Sequence, residues 1–331
     1  MRSTTVGRSG CPVTGLGFGA AGIGNLYSAV SDEAAAAALD AAWAAGVRYF
    51  DTAPHYGLGL SERRLGASLR GRPRDAYTVS TKAGRILEPR EHVGEAAHGE
   101  SAYGDDLDNG FAVPAAFRRR WDFSAEGVLR SVEESLERLG LDRIDIVYLH
   151  DPDDHGEQAF REAYPALERM RAEGTVRAIG AGMNQAEMLG RFVRDTDVDV
   201  VLCAGRFTLL DQRAADELLP LAAARGRSVV VGGVFNSGLL ADPKPGATYD
   251  YRAADPDVLE RALRIKAVAE RHGVPLRAAA LRFPFRHPAV ASVLVGARSA
   301  DEVEDAARML AVPVPDGLWA ELEEEGLVKR S

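Results

Sequence analysis

Eight short runs of apolar and β-branched residues recur along this chain, and between them stand helical stretches of about ten to sixteen residues. The strand runs are read in 14–24, 47–50, 77–81, 144–149, 176–181, 198–202, 228–231 and 291–295. The first of them is a small-residue strand that enters a glycine-rich loop. Helices are expected over 32–45, 61–69, 124–139, 157–172, 185–193, 214–224, 257–271 and 301–310. Residues 128, 129, 132, 136 and 139 form the apolar stripe of the third helix. A strand followed by a helix, eight times over, builds parallel βαβ units, and eight parallel strands close a (β/α)8 barrel rather than an open sheet. A barrel of roughly 250 residues with insertions accounts for the whole chain, so 1–331 is expected to be a single domain. Residues 1–13 are polar with a Ser9-Gly10 turn signal, which suits a short hairpin ahead of the barrel.

Two connections exceed the usual two to six residues. Positions 84–123 follow the third strand and carry Tyr103, Phe111, Phe117 and Trp121; positions 236–256 follow the seventh and carry Tyr249 and Tyr251. Loops of this length that follow strands sit on the active-site face and read as lids or binding loops. The run Arg118–Arg120 is expected to be a solvated part of the first one.

In a barrel the residues at the C-terminal ends of the strands share one crevice. Those ends carry Asp51 and Tyr56, then Lys82, then His150, then Asn184. Ser61 is expected to cap the helix that follows Tyr56. A tyrosine with a pKa near 10 is a poor proton-transfer group at neutral pH, but a neighbouring ammonium favours the phenolate. Lys82, oriented by Asp51, is therefore expected to bring Tyr56 into range, while His150 donates to a substrate oxygen. That set suits reduction of a carbonyl, or the reverse, with a cofactor supplying or accepting hydride. His55, Asp151, Asp153 and His155 flank the crevice and are candidates for binding hydroxyls, or for local loop hydrogen bonds.

Other chemistries find less support. The GxG and GxxG spacings within 14–24 lack the acidic residue that closes a dinucleotide fingerprint. A net charge of −9 argues against nucleic-acid or anionic-membrane partners. His150, Asp151 and Asp153 are too thin a set for a metal site. Cys11 and Cys203 lack metal-ligand spacing and read as buried free thiols. With no apolar leader and no run of about 18 apolar residues, the chain reads as cytoplasmic. The sequence carries no signature of oligomeric state.

The blocks FDTAPHYGLGLSERRLG, STKAG, IDIVYLHDPD, IGAGMN and VLVGARSADEVEDA, in this order, resemble the aldo-keto reductases along nearly the whole length. The resemblance implies a tetrad of Asp51, Tyr56, Lys82 and His150, with Tyr56 as acid–base, and an extended nicotinamide cofactor crossing the barrel mouth. It implies Asn184 at the nicotinamide carboxamide and Phe235, Asn236, Ser237, Gly238 and Leu239 around the pyrophosphate. On the adenosine half it implies Gly296, Arg298, Ser299, Glu302 and Asp305. Arg298 beside a 2′-phosphate favours NADP(H), whereas an acidic Asp305 keeps NAD(H) open. Ala204, Gly232 and Asp305 depart from the family pattern, and with AAGIGNLY, HDPDD and GGVFNSGLL they are similar to its aldose-dehydrogenase branch. That branch implies a sugar substrate oxidised at C1 to a lactone. The alternatives are NADPH-dependent reduction of a ketone or aldehyde, and a nicotinamide-binding sensor with little turnover.

Overall fold

The fold is that of a computed structural model, which describes residues 1–90, 103–250 and 252–330. Tyr251 and the stretch 91–102 of the first long connection lie outside the described residues. The chain opens with an antiparallel hairpin, β1 (Ser3–Val6) and β2 (Cys11–Thr14), as the turn signal implied. It continues through β3 (Leu16–Gly19), α1 (Asp32–Ala44), β4 (Tyr49–Asp51), α2 (Leu60–Leu69) and β5 (Thr78–Ala83). The 84–123 connection is not a plain loop: β6 (Arg85–Pro89), β7 (Asp105–Asp106), β8 (Phe111–Pro114) and β9 (Phe117–Trp121) form two antiparallel pairs, β6 with β9 and β7 with β8. Gly84 makes the turn into β6 at φ +103, where a Cβ would lie 2.2 Å from the Phe123 ring.

Then come α3 (Ala125–Leu139), β10 (Ile146–His150) and α4 (Gly156–Gln158), which passes through a π-helical turn into α5 (Tyr164–Ala172). β11 (Ala178–Met183), α6 (Ala186–Asp195), β12 (Val200–Ala204), α7 (Leu218–Arg225) and β13 (Ser228–Gly232) follow. The second long connection carries a two-residue pair, β14 (Thr248–Tyr249) and β15 (Arg252–Ala253). The chain ends with α8 (Pro256–Arg271), α9 (Leu276–Arg282), β16 (Val290–Gly296), α10 (Ala300–Ala311) and α11 (Asp316–Glu324). The eight expected strands close a parallel barrel in the order β10-β11-β12-β13-β16-β3-β4-β5.

Strand alternation divides the core in two. Side chains facing the barrel axis, among them Tyr49, Ile146, Tyr148, Val200, Leu202, Val230 and Leu294, form one cluster that Val6, Cys11 and Val13 of the hairpin close from below. The outward set, such as Phe18, Phe50, Val147 and Val201, packs under the helices. The helices bury one stripe each: α1 turns Ala35, Ala38, Leu39 and Ala42 inward, and Ser31 caps it by accepting from Ala34 N at 3.1 Å. On α3, Ser124 is the cap and Gly140 the left-handed stop, and Leu129 is 42 % exposed, on the solvent side of the stripe expected to include it. Both cysteines are buried free thiols. No helix among the described residues is long and apolar enough to cross a membrane.

Candidate active site

The period of two along the strands assembles the chemistry. Thr78, Ser80 and Lys82 on β5, Tyr49 and Asp51 on β4, and Ile146, Tyr148 and His150 on β10 alternate with outward-facing neighbours. Asp51, Lys82 and His150 thus form the top inward layer, one step above Tyr49, Ser80 and Tyr148. All three are buried. Lys82 Nζ donates to Asp51 Oδ2 at 2.6 Å and to the Thr52 carbonyl at 2.9 Å. Ser80 Oγ donates to Asp51 Oδ1 at 2.6 Å and lies 3.1 Å from Tyr49 Oη, which sits 3.0 Å from Tyr148 Oη. The Asp51 carboxylate is therefore held on both oxygens, and through it the ammonium.

Tyr56 reaches this layer from the turn after β4. Gly57 makes that turn at φ +61, and a Cβ there would sit 2.2 Å from the Gly24 carbonyl oxygen. Lys82 Nζ lies 4.7 Å from the Tyr56 ring centre, close enough for its charge to act on the phenol, while the Tyr56 and His150 rings stand edge to face at 5.9 Å. Ser61 does not cap α2. Gly59 stands at the cap position, and Ser61 is buried inside the helix, donating to the Ala20 carbonyl at 2.7 Å and paired with Thr52 Oγ1 at 2.8 Å.

The electrostatics depart from the sequence expectation at Tyr56. Burial raises its pKa and outweighs the downward pull of Lys82, so the net shift is upward and the phenol is neutral at neutral pH. For Lys82, burial works against the charged form, but Asp51 and Tyr56 outweigh it and the ammonium titrates above the ordinary lysine range. Burial, then Arg85 and Lys82, drive His150 well below the usual imidazole value. His150 is neutral. Its Nε2 stands 3.7 Å from Asp151 Oδ2, which favours the tautomer with the proton on Nε2, since a lone pair there would face a carboxylate.

A cavity of about 770 Å³ opens above this layer, with Tyr56, Lys82, His150, Asn184 and Ala204 in its wall. Of the four flanking candidates, His55, Asp151 and Asp153 line it; His155 instead packs on Phe123 at 5.4 Å, outside the cavity wall. Two arginines stand behind the wall: Arg85, to which the sequence assigns no role, and Arg119, expected there as a solvated charge. Arg85 of β6 pairs with Asp151, and the side chain of Arg119 of β9 is 4 % exposed, donating to both oxygens of Asp106 at 2.7 and 2.5 Å and through Nε to His55 Nδ1 at 2.5 Å. Arg119 is not a solvated charge. Alternation within FRRRW carried the signal: Arg118 and Arg120 lie on the other face, both on Glu88, and Arg119 shares its face with Phe117 and Trp121.

Of the candidate cofactor residues, Asn184 lines the cavity, and the others come at or after the ends of β13 and β16. Asn236 and Ser237 adopt left-handed φ of 46 and 57, followed by Gly238 at 97. Asn236 is buried, and its Oδ1 has no hydrogen-bond partner among the described residues. Phe235 is half-buried against the core, and Leu239 is fully buried. At Gly296 a Cβ would meet only the Gly19 carbonyl oxygen at 3.7 Å, an ordinary contact, so the fold itself leaves that space open. Ser299 caps α10 by accepting from Glu302 N at 3.3 Å. Arg298 is paired with Glu302, whose carboxylate also accepts from the Arg298 backbone N–H at 2.8 Å; Asp305 is paired with Arg277 and Arg308. An orphaned buried amide oxygen and an unfilled glycine cradle fit an extended ligand with polar and charged parts.

A closed parallel barrel with a buried Asp–Lys pair under a tyrosine and a neutral histidine defines a class of oxidoreductase. Residues 15–325 match the aldo/keto reductase family, and the chain belongs to it. It is 49 % identical over 323 residues to a D-threo-aldose 1-dehydrogenase of Pseudomonas sp, covering 97 % of this chain and 96 % of that one. It is 39 % identical over 334 residues to a pyridoxal 4-dehydrogenase of Microbacterium luteolum, covering 98 % and 97 %. Among solved structures, an aldo-keto reductase of Bacillus halodurans in its holo form superposes with a TM-score of 0.74 at 26 % identity, covering 100 % of this chain and 97 % of that one. The protein is an oxidoreductase of a family whose members use nicotinamide cofactors.

Proposed function

We propose that the protein oxidises an aldose at C1 to the lactone, with NAD+ as the preferred cofactor. The observation that carries the substrate reading is the charge balance of the cavity. Lys82 is the one cation in its wall among the described residues, and it is bound to Asp51; Arg85 and Arg119 stand behind the wall, each on a carboxylate. Such a wall offers polar groups without a spare positive charge, which suits an uncharged polyol better than a carboxylate or phosphate. The likeness to a D-threo-aldose 1-dehydrogenase supports the same reading.

When bound, the nicotinamide would accept the hydride from C1. Asn184 would hold its carboxamide, residues 235–239 its pyrophosphate, and Gly296, Arg298, Ser299, Glu302 and Asp305 its adenosine half. His150 would donate Nε2–H to the oxygen on C1, and Tyr56 would take the hydroxyl proton as C1 becomes a carbonyl carbon, with Lys82 stabilising the phenolate while the proton is away. The Arg298–Glu302 pair is why NAD+ is preferred here, in place of the NADP(H) that Arg298 alone suggested. A 2′-phosphate would have to displace a carboxylate that already matches the guanidinium.

The test follows reduced-nicotinamide absorbance with NAD+ or NADP+ against free aldoses and pyridoxal, and with NADH or NADPH against simple ketones and aldehydes. Oxidation of an aldose is expected, with Tyr56→Phe losing about 10²–10⁴-fold in rate. Turnover of ketones alone would sink the aldose assignment, and turnover unaffected by Tyr56→Phe would sink the role of the phenol.

A further inference from the structure

Two wall residues beside His150 have their hydrogen-bonding direction fixed from behind by a single hairpin. Strand alternation puts Arg85 of β6 and Arg119 of β9 on one face of the β6–β9 pair, because Arg85 lies opposite Trp121 and Leu87 opposite Arg119. Arg119 can only donate. Its Nε–H is spent on His55 Nδ1 at 2.5 Å and an Nη on the His55 carbonyl at 3.0 Å, so the lone pair of Nδ1 is occupied and the ring proton must sit on Nε2. Burial, followed by the charges of Arg85, Arg119 and Lys82, pushes the His55 pKa down to about 2. The ring is therefore neutral, with one N–H to offer.

Asp151 is the complement. Arg85 occupies its Oδ2, and the same carboxylate lies 3.7 Å from His150 Nε2, close to where an oxygen bound to His150 would sit. Its side chain keeps 34 % exposure in the cavity wall, so acceptor capacity remains for a ligand. Beyond it, Asp153 lines the same cavity with a buried Oδ1 that has no partner among the described residues. The His55 and His150 rings stand 5.6 Å apart, edge to face. A donor and an acceptor therefore flank the group that holds the reacting oxygen, in the wall of one cavity.

We propose that His55 and Asp151 form a hydroxyl-reading subsite, His55 donating to and Asp151 accepting from two ring hydroxyls near the reacting carbon, with Arg119 and Arg85 as positioning residues. This rests on the aldose reading above and names what selects the sugar. A simple aldehyde or ketone would leave both groups unmatched, and a site built to hydrogen-bond a hydroxyl rejects the analogue that lacks it far more strongly than an apolar pocket rejects an extra methylene.

The experiment measures kcat/KM for the aldose that the wild type oxidises fastest and for each of its monodeoxy analogues, in the wild type, Asp151→Asn and His55→Phe. Retained cofactor affinity, read by quenching of protein fluorescence, reports that each variant is folded. The wild type is expected to prefer the parent sugar over two of the analogues by at least about 100-fold. Asp151→Asn should lower that preference at least tenfold for one analogue, and His55→Phe for the other. Loss of kcat/KM by the same factor on parent and analogues alike would overturn the subsite while leaving the aldose reading intact. If a variant does not fold, the wild-type series decides alone: no analogue losing more than threefold also overturns it. Failure of the wild type to oxidise any aldose would instead remove the reading on which the subsite rests, and the subsite with it.

Discussion

Removing the Arg119 guanidinium tests whether the β6–β9 hairpin is part of the site or a cover over it. In the native arrangement Arg119 donates to Asp106 at 2.7 and 2.5 Å and to His55 at 2.5 and 3.0 Å, and both charged side chains are 4 % exposed. Arg119→Met keeps the apolar stem but leaves the Asp106 carboxylate buried with Asn109 Nδ2, at 2.9 Å, as its remaining side-chain donor among the described residues. Breaking one side of a buried pair costs about 3–5 kcal/mol. At about 2.1 cal/mol/K per residue, the entropy of unfolding this 331-residue chain is roughly 0.7 kcal/mol/K, which converts that loss into a Tm drop of about 4–7 °C. Asp106→Asn in the same background removes the stranded charge, so the double variant should be more stable than Arg119→Met alone, a coupling that a solvated arginine could not produce. The assay is thermal unfolding of the wild type, both single variants and the double variant by circular dichroism. A Tm within about 1 °C of wild type for Arg119→Met would refute the buried pair.

Three further outcomes follow from the site. Because the net shift on Tyr56 is upward, the phenolate needed to accept a proton is scarce at neutral pH. Log kcat/KM for oxidation should therefore climb with a slope near +1 over about pH 7 to 9, while reduction, which uses the phenol, stays level. A flat oxidation profile would point to another base. Glu302→Gln frees Arg298 from its carboxylate and should raise the NADP+ to NAD+ ratio of kcat/KM by about three- to tenfold, more at low salt than at high; an unchanged or lower ratio would refute the role given to that pair. Gly57→Ala forces a Cβ to within 2.2 Å of a backbone oxygen at φ +61 and should cost at least about 2 kcal/mol in denaturant titration, with loss of turnover as Tyr56 is displaced. Near-native stability and activity would show that the turn yields freely.

What the sequence disclosed and what it hid divide along the range of the interactions. Asp51, Lys82 and His150 were legible because alternation along a short strand is a local property, and a polar residue at the end of an apolar run stands out against it. Ser61 misleads because a serine at the head of a helix looks the same whether it caps or not. Its hydroxyl is instead taken by the Ala20 carbonyl, 41 positions away. Arg119 and Arg85 are hidden for the same reason. Their carboxylate partners Asp106 and Asp151 stand 13 and 66 positions away, and nothing local marks the strand that turns Arg119 inward. The upward shift at Tyr56 belongs here too. Proximity of Lys82 could be inferred from strand order, but the depth of burial that outweighs it depends on Phe111 and the hairpins, whose packing no local pattern encodes.

That upward shift, in turn, bears on direction. A phenol kept neutral by burial is a ready proton donor to a carbonyl, so the bare barrel layer favours reduction, and oxidation needs something to stabilise the phenolate. Lys82 supplies part of that, since Asp51 holds its charge in place 4.7 Å from the Tyr56 ring. A bound nicotinamide would supply the remaining positive charge in its oxidised form and none in its reduced form. The phenolate is thus favoured before transfer and the phenol after it. Tyr56 pKa should therefore be lower with the oxidised cofactor bound than with the reduced one, and ultraviolet difference titration of the tyrosinate band in the two complexes, with Tyr56→Phe as the blank, measures it directly. Equal midpoints in both would mean that Lys82 alone sets the proton affinity of the site.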